Sequence, residues 1–378
     1  MHHDDQRLIH IMGMYKSGTS WLLHVLAAHP ELIAWREFDI IRATYANEPG
    51  PIISRADGRL RRFFRLPPRT VPGQSVRLRE REEIIRELFL GRGLLPVMDE
   101  QSRQDAERFS LDNADQFLER LMALGEYQLQ ADDAPLMKPE DFDNTLGVGN
   151  MRRSDLRSFI EAVRDMPDLA GTPGAYFRFL QNQSEPQAPV VLKAADQIMC
   201  FSQLQSASPD STKIVVMRDG RDAAISALHY GRLMEKWDAP WKPKELSYMD
   251  RLNAWSTRAA ALAYHCDRHD ILVLRYEDMK RDFHALCRSL FRRLNLAHDD
   301  LTIDAIHAKT NFKTVSGGRK PGEAAEHIVR KGITGEWKDT LTEREQAVAW
   351  RLAQKELSTF GYTQDGSYVP THYCDWYQ

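Results

Sequence analysis

Cysteine is scarce in this 378-residue chain: four residues, at positions 200, 266, 287 and 374. None forms a Cys-x-x-Cys pair, which argues against both a disulfide framework and a structural zinc site. Long apolar runs are also missing, and no stretch approaches the ~20 residues a membrane span requires. The first apolar segment is broken by His10 and followed by Lys16, so it does not read as a secretory signal. Charge of one sign does not dominate either. A formal net charge of −3 removes the global electrostatic reason to expect a nucleic-acid partner. There is no internal repeat and no low-complexity tract. What remains is an ordinary globular composition, 42% hydrophobic and 28% charged, on a chain long enough for one large α/β domain with an insertion or two smaller domains.

The most informative local pattern lies near the amino terminus. Leu8-Ile9-His10-Ile11-Met12 leads into Gly13-Met14-Tyr15-Lys16-Ser17-Gly18-Thr19-Ser20-Trp21, followed by an amphipathic stretch through His29. This predicts a strand, an anion-binding loop and a helix. Gly18 and the residues after it can aim backbone N–H groups at an anion from the positive end of the helix dipole, with Lys16 adding charge and Thr19 and Ser20 adding hydroxyls. A nucleoside-triphosphate loop of the Walker type places lysine directly after the second glycine; here it comes two residues before Gly18, so that motif is not satisfied.

A second segment, Lys213-Ile214-Val215-Val216-Met217, has the continuous apolar pattern of a buried parallel strand. It ends in Arg218, and a helix is expected from about Gly220 onward. An arginine at the carboxyl edge of such a strand can hold a phosphate bidentately, and Ser226 follows two turns into the helix. A surface pair between Arg218 and Asp222 is the alternative. The third segment, Arg330-Lys331-Gly332-Ile333-Thr334-Gly335-Glu336-Trp337-Lys338, places two cations before a glycine, which suits a loop wrapping a terminal phosphate, or else a solvated basic turn.

Together, and in this order, the three segments resemble the sulfotransferases that use 3′-phosphoadenosine 5′-phosphosulfate (PAPS). The family's 5′-phosphosulfate loop runs Pro-Lys-Ser-Gly-Thr-Thr-Trp; this chain has Tyr15 for the proline and Ser20 for the second threonine, and retains the lysine and hydroxyl donors. The resemblance implies an α/β fold with a parallel β-sheet flanked by helices, PAPS as co-substrate, and no metal. It implies that Lys16 contacts the bridging and sulfuryl oxygens, that Ser17, Gly18, Thr19 and Ser20 form the 5′-phosphate loop, and that Arg218, Ser226, Arg330, Lys331 and Gly332 bind the 3′-phosphate. Trp21 and Tyr276 match family positions near the adenine or donor, and Phe312 would stack on the base; ordinary core packing is the competing role for these rings. Gly220 stands where the family has proline, a change expected to cost rigidity but no ligand group.

The proton acceptor is where this chain departs from the cytosolic small-molecule branch. That branch carries Lys-x-His at the end of its second strand, whereas Lys193-Ala194-Ala195 has alanine in the histidine position. Another branch takes its base from a glutamate after a His-Pro turn, and His29-Pro30-Glu31-Leu32-Ile33-Ala34-Trp35-Arg36-Glu37 resembles it. Glu37 is therefore the expected base, Lys193 a second cation on the sulfuryl oxygens, and Asp196 the reserve; an ion pair of Glu37 with Arg36 or Arg42 is the alternative. The acceptor would carry a hydroxyl, on a metabolite, lipid, glycan or carrier. A P-loop kinase and a non-catalytic nucleotide binder are the rival functions. Lys16 lies almost at the start, ahead of which no anchor is seen, so a cytoplasmic protein is expected.

Strand-then-helix units recur at residues 190–193, 213–217 and 271–275, consistent with one sulfotransferase domain over 1–378. Residues 47–189 read as a mainly helical insertion shaping the acceptor site, with helical patterns at 79–90, 113–130, 154–164 and 172–181. Its charge is divided: residues 55–92 hold eleven arginines against five acids, and residues 99–143 hold thirteen acids against four bases. Two subregions facing each other or water would explain this, as would an anionic or carrier-bound acceptor meeting the arginine-rich part.

Overall fold

The computed structural model describes residues 7–35, 40–47, 76–81, 83–84, 159, 161–163, 165–182, 188–236, 247–325 and 329–377. They form strands β1 (Leu8–Gly13), β2 (Ile33–Ala34), β3 (Tyr45–Asn47), β4 (Val76–Leu78), β5 (Val190–Lys193), β6 (Thr212–Met217) and β7 (Ile271–Arg275). The chain divides into two compact units, Met1–Leu8 with Ile33–Ser211, and Ile9–Leu32 with Thr212–Gln378. The architecture is a parallel β-sheet flanked by helices.

In the second unit β1, β6 and β7 run parallel, with Ile11 opposite Ile214 and Val215 opposite Val273. All of β7 and all of β6 but Thr212 are buried, because helices cover both faces and leave no side for polar alternation. The crossover from β1 is the helix Thr19–Ala27, which buries Leu22, Leu23, Val25 and Leu26 and ends two residues short of His29. Between β6 and β7 run the helices Gly220–Lys236 and Tyr248–Cys266. The latter opens with a reciprocal capping box between Ser247 and Asp250, and Thr342 with Glu345 does the same for the helix Glu343–Thr359. These two helices are tied by a buried hydrogen bond from Ser256 Oγ to Glu356, 2.7 Å.

In the first unit β2 and β5 pair in parallel, Ile33 opposite Val190, and the helix Thr172–Asn182 buries Tyr176, Phe177 and Leu180. That helix matches the expectation from Thr172-Pro173. Positions 81, 83 and 84 and positions 159 and 161–163 are helical, as expected; the predicted 113–130 helix lies outside the described residues. The segment also contains a strand that was not expected: Val76–Leu78 pairs antiparallel with Tyr45–Asn47. A three-residue strand stabilised by a distant partner carries no periodicity of its own to read.

Candidate anion-binding site

The loop after β1 is shaped by backbone that ordinary side chains resist. Lys16 and Gly18 both have positive φ, 65° and 101°, and Ser17 N–H closes the turn onto the Met14 carbonyl at 3.0 Å. A Cβ on Gly18 would lie 2.6 Å from the Tyr276 ring, and one on Gly13 would lie 2.6 Å from Thr19 and 2.7 Å from the Val216 carbonyl. Glycine is thus required at both by close approach. The helix Thr19–Ala27 has no side-chain cap, so its first N–H groups are unsatisfied by any cap and stand at the positive end of the dipole. Ser17 is fully buried, and its Oγ has no hydrogen-bond partner among the described residues. Lys16 Nζ sits 4.5 Å above the Tyr230 ring, and Ser20 is exposed.

Arg218 follows β6 directly and joins all of these parts. Its guanidinium donates to the Ile333 carbonyl at 2.9 Å and to the Lys16 carbonyl at 3.4 Å. It lies 4.7 Å over the Tyr276 ring and 3.7 Å from Asp222. Arg218 is 8% exposed and Asp222 1%, so this is a buried cluster rather than a surface pair. Asp222 accepts from the backbone N–H groups of Gly335 (2.6 Å) and Trp337 (3.0 Å). Burial raises the Asp222 pKa, and Arg218 opposes that rise. The neighbouring turn is held from below: Asp219 N–H donates to Glu277 at 3.0 Å, and Tyr362 OH donates to the other Glu277 oxygen at 2.9 Å. Burial pushes Glu277 up to about 7, partly offset by the Asp219 N–H. Gly220, expected merely to loosen this turn, is instead a packing position, since a Cβ there would come 2.5 Å from the Trp255 ring.

The third segment arrives by the same clasp. Gly332 has φ 61° and rests on the Phe312 ring. Arg330 and Lys331 do not point freely outward: both hydrogen-bond Glu336, Arg330 through its two terminal nitrogens and Lys331 at 2.9 Å. Burial opposes ionisation of Glu336, but these two cations hold its pKa down to about 2. Arg330 keeps one buried atom, Nε, with no partner. Ser226 is part-buried one turn beyond Asp222 on the helix Gly220–Lys236.

The aromatic residues occupy graded positions. Tyr276 is 9% exposed, packed under Gly18 and Arg218 and edge-on to Trp21 at 5.7 Å; it acts as a platform. Trp21 stacks on Phe283 at 6.1 Å and donates from Nε1 to the Thr310 carbonyl at 2.9 Å. Phe312, part-buried at the start of a short helix, lies between Lys280 and Arg319, 5.8 and 5.7 Å from its centroid.

Three further expectations concern residues outside this group of described side chains in the second unit. Glu37 lies outside the described residues, as does the side chain of Asp196. Lys193 is 7% exposed at the end of β5, in the first unit. The His-Pro turn ahead of Glu37 is firmly made: His29 Nε2 bonds the Ala297 carbonyl at 2.9 Å and Nδ1 accepts from Glu31 N–H at 3.2 Å. Residues that sequence reasoning missed are the carboxylates Glu277 and Glu336 and the cation Lys280. Lys280 stands four positions after Tyr276, the spacing that places two residues on one helix face. No cluster of metal-ligating side chains occurs among the described residues, and no helix there is long and apolar enough to cross a membrane.

The Sulfotransferase family model matches residues 9–300, and the chain belongs to that family. It is 24% identical to sulfotransferase 1B1 of Canis lupus familiaris over 243 residues, 58% of this chain and 78% of that protein. It is 28% identical to luciferin sulfotransferase of Photinus pyralis over 109 residues, 28% of this chain and 30% of that protein. Among solved structures it is similar to mouse sulfotransferase SULT7A1 complexed with PAP, with a TM-score of 0.38, 18% identity and coverage of 54% of this chain and 80% of that one. It is also similar to the sulfotransferase domain from the curacin biosynthetic pathway, with a TM-score of 0.45, 12% identity and coverage of 93% and 96%.

Proposed function

We propose that the protein transfers the sulfuryl group of PAPS to a hydroxyl of a metabolite, lipid, glycan or carrier-bound acceptor. The observation that carries this reading is that each of the three segments keeps one buried donor without a partner: Ser17 Oγ, Arg218 Nε and Arg330 Nε. Buried polar groups are nearly always satisfied, so these orphans, one in each segment, fit a ligand with several anionic oxygens. The 5′-phosphate would take the Thr19 N-terminus and the 3′-phosphate would take Arg218, Ser226 and the Arg330-Lys331-Gly332 segment. In the transfer step the acceptor oxygen forms a bond to sulfur as the bond from sulfur to the phosphate oxygen breaks in line. The acceptor proton passes to Glu37, and adenosine 3′,5′-bisphosphate leaves with its oxygen stabilised by Lys16. Lys193 is the second cation for the sulfuryl oxygens, and residues 47–189 shape the acceptor site. A cytoplasmic setting accords with four free cysteines.

Thermal-shift titration tests the donor. Adenosine 3′,5′-bisphosphate should raise the melting temperature more than adenosine 5′-monophosphate or ATP at equal concentration, and labelled sulfate should move from PAPS to acceptor in EDTA. A larger shift with ATP plus magnesium, together with loss of transfer in EDTA, would favour the kinase reading.

A further inference from the structure

Among the described residues, Lys280 is a cation without a counter-charge. It belongs to the helix Tyr276–Arg281, and i,i+4 spacing sets it on the face that carries Tyr276 beneath Arg218. Its neighbour Arg281 turns to Asp278 at 2.7 Å. Lys280 does not: it is part-buried, with Nζ 5.9 Å from the Trp21 centroid and 5.8 Å from the Phe312 centroid, and no carboxylate pairs with it among the described residues. Desolvation, and then the charge of Arg218, lower its pKa. A half-buried ammonium beside a like charge is costly unless an anion joins it, and two ring faces offset only part of that cost.

The cations expected for the 3′-phosphate differ from it in this respect. Arg330 and Lys331 share the single negative charge of Glu336, so each already has an anion beside it. We propose that Lys280, acting with Arg218, binds the 3′-phosphate of the donor beside the rings of Trp21 and Phe312, and so contributes to discrimination between 3′-phosphorylated and ordinary adenine nucleotides. This rests on the donor reading above. The 5′-phosphate has its own cradle at Thr19, which leaves the anion next to the base-facing rings as the one Lys280 meets.

The test is calorimetric titration of the wild type, Lys280→Met and Lys280→Arg with adenosine 3′,5′-bisphosphate and with adenosine 5′-monophosphate, alongside melting of the ligand-free proteins. Lys280→Met should bind the bisphosphate roughly 10- to 100-fold more weakly, as for a hydrogen bond to a charged group. Its affinity for the monophosphate should stay within about threefold, and Lys280→Arg should recover most of the loss. The ligand-free Met variant should melt no lower than wild type, because the lysine it removes is unpaired. Unchanged bisphosphate affinity, an equal loss for both nucleotides, or a lower ligand-free melting temperature would overturn the proposal. A wild type that fails to prefer the bisphosphate would overturn the donor reading itself, and Lys280's role with it.

Discussion

Arg218→Ala separates two jobs that one side chain performs. For binding, the loss of charge-assisted hydrogen bonds to a phosphate is worth ~1.5–3 kcal/mol, or roughly 10- to 150-fold in Kd for adenosine 3′,5′-bisphosphate. For stability, the deletion leaves Asp222 buried without its cation. Breaking a buried ion pair from one side costs about 3–5 kcal/mol, but here the pair is 3.7 Å apart and Asp222 keeps the N–H groups of Gly335 and Trp337. A loss of about 1–3 kcal/mol is therefore expected, seen as a melting point several degrees lower. The double variant Arg218→Met, Asp222→Asn removes both charges and should regain most of that stability while leaving the bisphosphate affinity low. Melting curves and isothermal titration with the bisphosphate and the monophosphate read the two effects separately. Equal losses of affinity for the two nucleotides, or recovery of bisphosphate binding in the double variant, would refute the assignment.

Glu37→Gln should lower turnover by ~10²–10⁴-fold, the usual contribution of a positioned base, with donor affinity nearly unchanged; near-normal turnover when chemistry limits the rate would pass the role to Asp196 or to the insertion. Because burial raises Glu277 from 4.5 to about 7, its protonated form is the stabilising one: the contribution is complete below pH 4.5 and is lost as pH rises through 7. The melting temperature of wild type relative to Glu277→Gln should accordingly fall between pH 5 and 8, and a pH-independent difference would contradict this. Gly220→Ala should destabilise by about 1–3 kcal/mol in chemical denaturation, since its Cβ meets Trp255 at 2.5 Å; an unchanged midpoint would show that the ring yields.

The strands, the anion loop and the order of the three motifs were legible in the sequence because each is local. Buried parallel strands leave continuous apolar runs such as Ile214-Val215-Val216, and the turn after β1 places Gly18 at a φ of 101° that favours glycine. The partners of the charged residues were not legible. Arg218 reaches carbonyls 202 and 115 positions away, and Asp222 clasps an N–H 113 positions on. Arg330 and Lys331, which as a string read as two cations open to phosphate, are bound to a glutamate that reads as one more polar residue of the same turn. The pattern 76–78 became a strand through pairing with 45–47, and Gly220 became a packing position through Trp255. Local backbone preference and hydrophobic period are carried by adjacent residues, so a sequence displays them. Which charge is neutralised, which hydroxyl is orphaned and which lysine stays uncompensated depend on burial and on distant contacts, and only the tertiary fold decides those.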